Sequence, residues 1–346
     1  MTAERPRRLA FLLQPQFSMM AFAAALEPLR AANRIAERPL YVWPLVSLDG
    51  RPVTASNGIA IAVDHDLDSV GQPDLLMACV GFEPLRTAAH TRLRGWVRRL
   101  ARHGCEVGGI TGGAFLLAEA GLLDGRKCTV HWEFAEQFAS RYPRSQLVPD
   151  LFVVDRGTFT CSGGTAGLDL MLWYIRQHHG EELALAVAEQ FIHPRIREQD
   201  DRQRMPWSTR YRVSHPRLSR VLERMESALA NPPDLRVLAA EAGVTTRQVE
   251  RLFQRHLGVT PRAFLLRLRL EHARHLLRES ATPIRSVALD CGFGSTSHFC
   301  HSYRRHFGHR PGDERRKSPT HNAASARRNP RSAAFATLPP EETSCT

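Results

Sequence analysis

Short apolar runs alternate with helical spacings over the first two-thirds of the chain. Arg8 to Leu13 (RLAFLL) is apolar at consecutive positions, the pattern of a strand buried on both faces. Met19 to Ile35 predicts an Ala-rich helix. Tyr41 to Ser47 reads as a second strand before the turn Asp49-Gly50, and Ile59 to Val63 as a short third. Leu75 to Val80 is another buried run, closed by Gly81. An amphipathic helix follows from His90 to His103, then a strand from Glu106 to Ile110 that runs into Thr111-Gly112-Gly113 and a helix from Ala114. Lys127 to Val130 is strand-like and Trp132 to Tyr142 helical. Phe152–Asp155 and Thr158–Cys161 form a hairpin around Arg156-Gly157, before helices over Ala166–Gln177 and Glu181–Phe191. Strands alternating with helices imply a mostly parallel sheet covered on both faces, an α/β layered domain.

From His193 to His215 the chain is polar, charge-mixed and weakly patterned, and beyond it only helical spacing appears. In DLRVLAAEAGVTTRQVERLF (234–253), Leu235, Leu238 and Ala239 give a short helix one apolar face, with Asp234 placed to cap it. Gly243 sits where two helices must turn sharply, and Thr245 suits the N-cap of the next helix, whose Val249, Leu252 and Phe253 face inward. Its polar side carries Thr246, Arg247, Gln248, Glu250, Arg251 and Arg255. A second copy runs from Pro283 to Phe307. Ile284, Val287 and Ala288 form the apolar face, Gly292 the turn and Ser295 the cap; Phe299, Tyr303 and Phe307 point inward, leaving Thr296, Ser297, His301, Arg304 and Arg305 outward. Arg262 to Arg278 predicts one longer helix between the copies. Small residue, tight turn and apolar residue at these intervals are what a helix-turn-helix needs. One such pattern is a weak signal, and a helical bundle with a basic solvated face would explain it; two at this spacing are specific.

Charge sharpens this picture. The chain has 346 residues and a formal net charge of +12. From Arg212 to Lys317 there are 20 Lys and Arg against 10 Asp and Glu, so this segment holds +10 of the total. The excess lies where the helix pairs lie, which favours a phosphate-binding face over a general solubility effect. The seven cysteines contain no C-x-x-C pair and are odd in number, which indicates reduced, cytoplasmic usage with neither a disulfide framework nor a metal site. No apolar run is long enough to span a bilayer or to serve as a signal peptide, so no membrane partner is expected. After Lys317 the Ser/Ala/Pro/Thr/Arg-rich tail reads as disordered.

The phrases Gly292-Phe293-Gly294-Ser295-Thr296-Ser297-His298-Phe299 and Phe307-Gly308-His309-Arg310-Pro311 close the second motif. With the paired helices they make the region from Pro216 to Pro311 resemble the AraC family of transcription regulators. That resemblance implies an all-α domain of two helix-turn-helix units, each placing one helix in adjacent major grooves. By matching position, Arg247, Glu250 and Arg251 would read bases in the first unit, and Thr296, Ser297 and His301 in the second.

The other informative stretch is GGITGGAFLLAEAGLL (108–123). A strand enters a sharp turn and a helix leaves, which pushes Thr111 into the cleft at the strand ends beside a helix N-terminus suited to a carboxylate. With Glu27-Pro28-Leu29-Arg30-Ala31-Ala32-Asn33, Thr129-Val130-His131-Trp132 and the phrase from Phe159 to Ala166, it makes residues 8–205 resemble the ThiJ/PfpI, class I glutamine amidotransferase-like superfamily, and more closely the sensor half of GlxA-type AraC regulators. This implies a flavodoxin-like fold. The superfamily's enzymes carry a cysteine at the elbow, and here Thr111 stands in its place. A threonine hydroxyl is a poor nucleophile without an activating base, so a retained pocket without catalysis is expected. Thr111, Gly112, Gly113, Glu27, His131 and Trp132 are its candidate ligand residues. The amides and Thr111 would take a carboxylate, and Glu27 and the Trp132 face a cation. Similar regulators answer to amino acids or quaternary amines, so a small zwitterion is the expected effector. Equally ordinary roles are open to three of these: a surface salt bridge for Glu27, a satisfied histidine for His131, core packing for Trp132.

The expected organisation is a sensor domain over 1–205, a linker over 206–215, a DNA-binding domain over 216–316 and a tail over 317–346. The expected function is sequence-specific, ligand-responsive transcription regulation, with activation the expected sign. Promoter DNA, a small-molecule effector, a second copy of the chain and RNA polymerase are its partners, with no cofactor. Competing with this are an amidohydrolase- or protease-like enzyme with an appended DNA module, and a nucleoid-type protein binding DNA without sequence preference.

Overall fold

A computed structural model describes residues 5–81, 84–205, 207–211, 213–279 and 283–317. The chain divides into two compact units between Met205 and Pro206. In the first, the order is β1 (Arg7–Leu13), α1 (Met19–Ile35), β2 (Tyr41–Val42), β3 (Leu45–Val46), β4 (Val53–Thr54), β5 (Ala60–Ile61), β6 (Leu75–Val80), α2 (Pro84–Ala88), α3 (Thr91–Arg102), β7 (Glu106–Thr111), α4 (Gly113–Glu119), β8 (Lys127–Cys128), a 3-10 turn (Trp132–Phe134), α5 (Ala135–Arg141), β9 (Gln146–Leu147), β10 (Phe152–Asp155), β11 (Thr158–Cys161), α6 (Ala166–His179) and α7 (Glu181–Gln190). The main sheet runs β10-β11-β7-β6-β1-β2, with β3 also on β1. All its pairings are parallel except β10 with β11.

The buried runs explain this layering. Along β1, Leu9, Phe11 and Leu13 enter one core and Ala10 and Leu12 the other; along β6, Leu75, Met77 and Cys79 alternate with Leu76, Ala78 and Val80 in the same way. Period-two side chains on a strand apolar throughout need cover on both faces. Helices α1, α6 and α7 cover one face, and α3, α4 and α5 the other. The strand expected over Tyr41–Ser47 is broken into β2 and β3. Pro44 lies between them and has no N–H for the ladder, although its carbonyl accepts from Phe11 at 3.0 Å. The helix expected from Trp132 begins as a 3-10 turn capped by His131, and Ile59–Val63 contributes only β5, paired with β4 away from the main sheet.

The polar stretch after α7 packs on this unit. Asp169 of α6 is fully buried. It accepts from the Arg197 backbone N–H at 2.8 Å and from its guanidinium at 2.6 and 3.0 Å, and pairs with His193 Nε2 at 3.0 Å. Farther along, the Gln203 amide donates to Thr129 Oγ1, Val130 O and Asp150 O at 2.8–2.9 Å. Residues 193–205 therefore form a strap whose polarity is spent on buried partners.

The second unit is helical: α8 (Trp207–Arg210), α9 (Pro216–Ser227), α10 (Leu235–Glu241), α11 (Thr246–Leu257), α12 (Pro261–Glu279), α13 (Ile284–Asp290), α14 (Thr296–Phe307) and α15 (Pro311–Lys317). Residues expected as a linker are packed here. Val213 is buried, Tyr211 meets Phe264 edge-on at 5.5 Å and Arg210 pairs with Glu226 at 3.2 Å. The core is double. Phe264 and Leu268 of α12 join α9, α10 and α11, whereas Leu270, Ala273 and Leu277 join α13 and α14. In the second core Glu314 of α15 is buried and accepts from Arg274 and Tyr303, each at 3.0 Å. The tail beyond Lys317 lies outside the described residues.

Removing a buried carboxylate strands its partners, but Arg197 keeps an exposed edge. Asp169→Ala should therefore cost about 3 kcal/mol and lower the Tm of the first unit by roughly 6–12 °C in a thermal melt. A shift within error would show that the strap is held without this clasp.

Candidate functional site

The two helix-turn-helix units are built alike. Thr245 accepts from the Gln248 N–H at 3.3 Å to cap α11, and Ser295 accepts from the His298 N–H at 3.2 Å to cap α14. Gly258 and Gly308 end these helices in the left-handed conformation. Every landmark, from cap to final glycine, is displaced by 50 residues. Val249 and Phe253 are buried in one helix, and Phe299 and Tyr303 at the same positions in the other. Opposite them Arg247, Glu250, Arg251 and Arg255 are exposed on α11, as are Ser297, His301, Arg304 and Arg305 on α14. Among the described residues none of these five arginines has an ion-pair partner, so their charge is available to an outside anion.

Three expected members are less free. Thr246 and Thr296 are half-buried at the first helical position. Gln248 is exposed, but its carbonyl accepts from the Thr245 N–H at 2.8 Å, closing a capping box that occupies its acceptor. Two exposed side chains were missed. Gln254 stands one turn beyond Arg251, equivalent to Arg304, and His298 is equivalent to Gln248. Only the 50-residue superposition brings them out.

In the first unit, β7 ends at Thr111 with φ +61°, a conformation costly for a β-branched residue, of order 1–3 kcal/mol. Its Oγ1 is buried and has no hydrogen-bond partner among the described residues. Gly163 faces it so closely that a Cβ there would lie 2.2 Å from Oγ1, which makes Gly163 a part of the elbow. His131 is tied to the same point, its N–H donating to the Thr111 carbonyl at 3.4 Å, while its Nδ1 accepts from the Glu133 N–H at 3.4 Å. The Gly112 N–H donates to Val80 O at 2.8 Å and is not a donor for a ligand, correcting the expectation that it would be. Gly112 and Gly113 contribute shape: a Cβ on either would lie within 3 Å of Pro84 or of the Ala78 carbonyl, respectively.

Trp132 is 40% exposed, beside the His131 ring at 5.5 Å. Its face, expected to be open to a cation, carries the Arg204 guanidinium at 4.3 Å from the ring centroid. Glu27 lies on α1, where its carboxylate takes a bond of 2.7 Å from Arg30; both side chains are about 40% exposed. No thiol replaces the missing elbow cysteine among the described residues. Burial pushes Cys105, Cys128 and Cys161 up to about 12 and Cys79 higher still. No cluster of residues suited to a metal occurs among the described residues, and no helix there is long and apolar enough to cross a membrane.

Comparison with known proteins places these features together. The DJ-1/PfpI family model matches residues 7–177, and a helix-turn-helix domain model matches 238–317. The HTH-type transcriptional regulator CdhR of Pseudomonas aeruginosa is 47% identical over 309 residues, covering 89% of this chain and 91% of that one. The HTH-type transcriptional regulator GlxA of Rhizobium meliloti is 39% identical over 317 residues, covering 90% and 96%. A crystal structure of an AraC family transcriptional regulator from Pseudomonas putida covers 54% of this chain and all of its own, at 30% identity and a TM-score of 0.50. Two helix-turn-helix units, a strand–turn–helix elbow and relatives aligned across nine-tenths of the length converge: the chain belongs to the AraC family of transcription regulators, in the GlxA-type group that joins a DJ-1/PfpI domain to an AraC-type helix-turn-helix domain.

Proposed function

We propose that the exposed faces of α11 and α14 read successive major-groove segments of a promoter, and that a small zwitterion bound at the Thr111 elbow controls this binding. The observation that carries the reading is the pair of equally capped twelve-residue helices, 50 residues apart, each exposing arginines without ion-pair partners. Arg247, Glu250 and Arg251 act on bases in one segment; Ser297 and His301, with Thr296 at the helix start, act in the other. Arg255, Arg304 and Arg305 hold phosphates, and Gln254 and His298 extend the two faces. A homodimer doubles these contacts on a repeated site through effective concentration. The regulator works in the cytoplasm, activates, and contacts RNA polymerase.

The effector reading is supported by Thr111 and Trp132. A buried hydroxyl without a partner at a strained turn suits a carboxylate oxygen, and the Arg204 guanidinium over the Trp132 ring is in keeping with a face that attracts cations. His131, Gly112 and Gly113 shape the wall between them. Glu27, already paired with Arg30, adds negative charge from α1. No hydrolytic role is assigned to this elbow, where a hydroxyl replaces the thiolate.

Arg251→Ala is expected to weaken specific operator binding by roughly 1–3 kcal/mol in fluorescence anisotropy while leaving binding to random DNA almost unchanged. An equal loss on both would make Arg251 a phosphate contact. Calorimetry of the full chain with glycine betaine, carnitine and amino acids should find at least one binder. Trp132→Ala should weaken that binder about tenfold, in keeping with loss of a desolvated cation–aromatic contact. Unchanged affinity would remove the proposed pocket. Because the thiols are buried, iodoacetamide at pH 8 should label Cys300 well before Cys79, Cys105, Cys128 or Cys161 in the native protein, read by peptide mass spectrometry. Equally fast labelling of Cys161 would show an accessible thiol beside the elbow.

A further inference from the structure

The two halves of the DNA-binding unit have separate cores, and α12 forms a wall of both. Leu268 packs with the first helix-turn-helix and Leu270 with the second. Between them Arg269 is half-buried and turns its guanidinium onto the loop after α9. Nε donates to Leu229 O and Nη2 to Ala230 O, both at 3.0 Å. Leu229 packs against the first core. The same loop presses on the second motif: a Cβ on Gly292 would lie 2.1 Å from Ala230 O and 2.7 Å from Arg269 Nη2. The equivalent turn glycine of the first motif, Gly243, has nothing within 4 Å of such a Cβ. Both turns need positive φ, at +67° and +74°, but only the second also needs the missing side chain for close approach.

We propose that Arg269 is a positioning residue for DNA recognition, fixing the separation and angle of α11 and α14 by clamping the first core's loop onto the turn of the second motif. This rests on the reading that both helices contact DNA. A rod between two small cores sets distance along its axis but leaves each core able to rock about it. The guanidinium fork spans the junction and joins three segments at one point: α12, the 229–230 carbonyls and the Gly292 turn. Partial burial draws the Arg269 pKa below the usual guanidinium value, and two carbonyl acceptors offset that cost. Arg269 touches no base in this role. It governs which spacing of two half-sites is bound.

The test uses the full chain, its footprinted operator, copies with one base pair added or removed between half-sites, and a fragment with one half-site intact. The wild type should lose affinity about tenfold or more for either altered spacing, since the second contact is then no longer made at high effective concentration. Arg269→Met, which keeps the stem and removes the donors, should bind the single half-site like wild type. It should lose about tenfold on the natural operator and discriminate among spacings by about twofold or less. Arg269→Lys, with one donor head, should fall between the two and serves as the test if the methionine variant does not fold. An unchanged spacing profile with uniform loss on every fragment, single half-site included, would assign Arg269 to stability alone and overturn the proposal. Wild-type protein insensitive to spacing would instead refute two-helix recognition itself.

Discussion

The second unit depends on one helix serving two cores. Helices of seven and twelve residues cannot enclose enough apolar surface by themselves, and each helix-turn-helix here lacks one wall. Helix α12 supplies both walls, Phe264 and Leu268 to the core of Val249 and Phe253, and Leu270, Ala273 and Leu277 to that of Phe299 and Tyr303. With the apolar sides of α11 and α14 committed inward, their arginines have nowhere to go but solvent. The same packing that stabilises each motif thus presents its basic face.

The first unit turns on a different constraint, a strand that must end in a tight bend. The sheet packs β7 between β6 and β11, so the bend at Thr111 opens among three strand ends. Positive φ at a threonine persists because neighbours hold it: Gly112 bonds to Val80, His131 to the Thr111 carbonyl, and Gly163 leaves room for Oγ1. The geometry of a nucleophile elbow is kept while its sulfur is gone. Such a turn can still present a hydroxyl to a bound molecule, and regulation requires no more than differential affinity between two states of the protein.

The strap over residues 193–205 runs from beside the elbow to the chain leading onward. Gln203 is bonded beside Thr129 and Val130, Arg204 lies on Trp132, and Met205 ends the unit. A molecule that engaged Trp132 would compete with Arg204 for one aromatic face.

Much of this was legible along the chain because it is local. Met19–Ile35, the two capped turns, the long helix between them and the buried runs of β1 and β6 each follow from spacing within a few residues. The resemblance to AraC regulators added which positions are expected to face DNA. What only the tertiary structure decided is pairing between distant groups. A polar stretch after His193 looks like a linker until Asp169 is found buried against it, and Trp132 looks open until Arg204 covers it. Gln248 turns back to its own cap, and Arg269 is one more basic residue on a helix until two carbonyls 39 and 40 residues away meet its fork. Periodicity records which face of an element is apolar. It holds no record of which polar group satisfies which, since that depends on distances set only after the layers have packed.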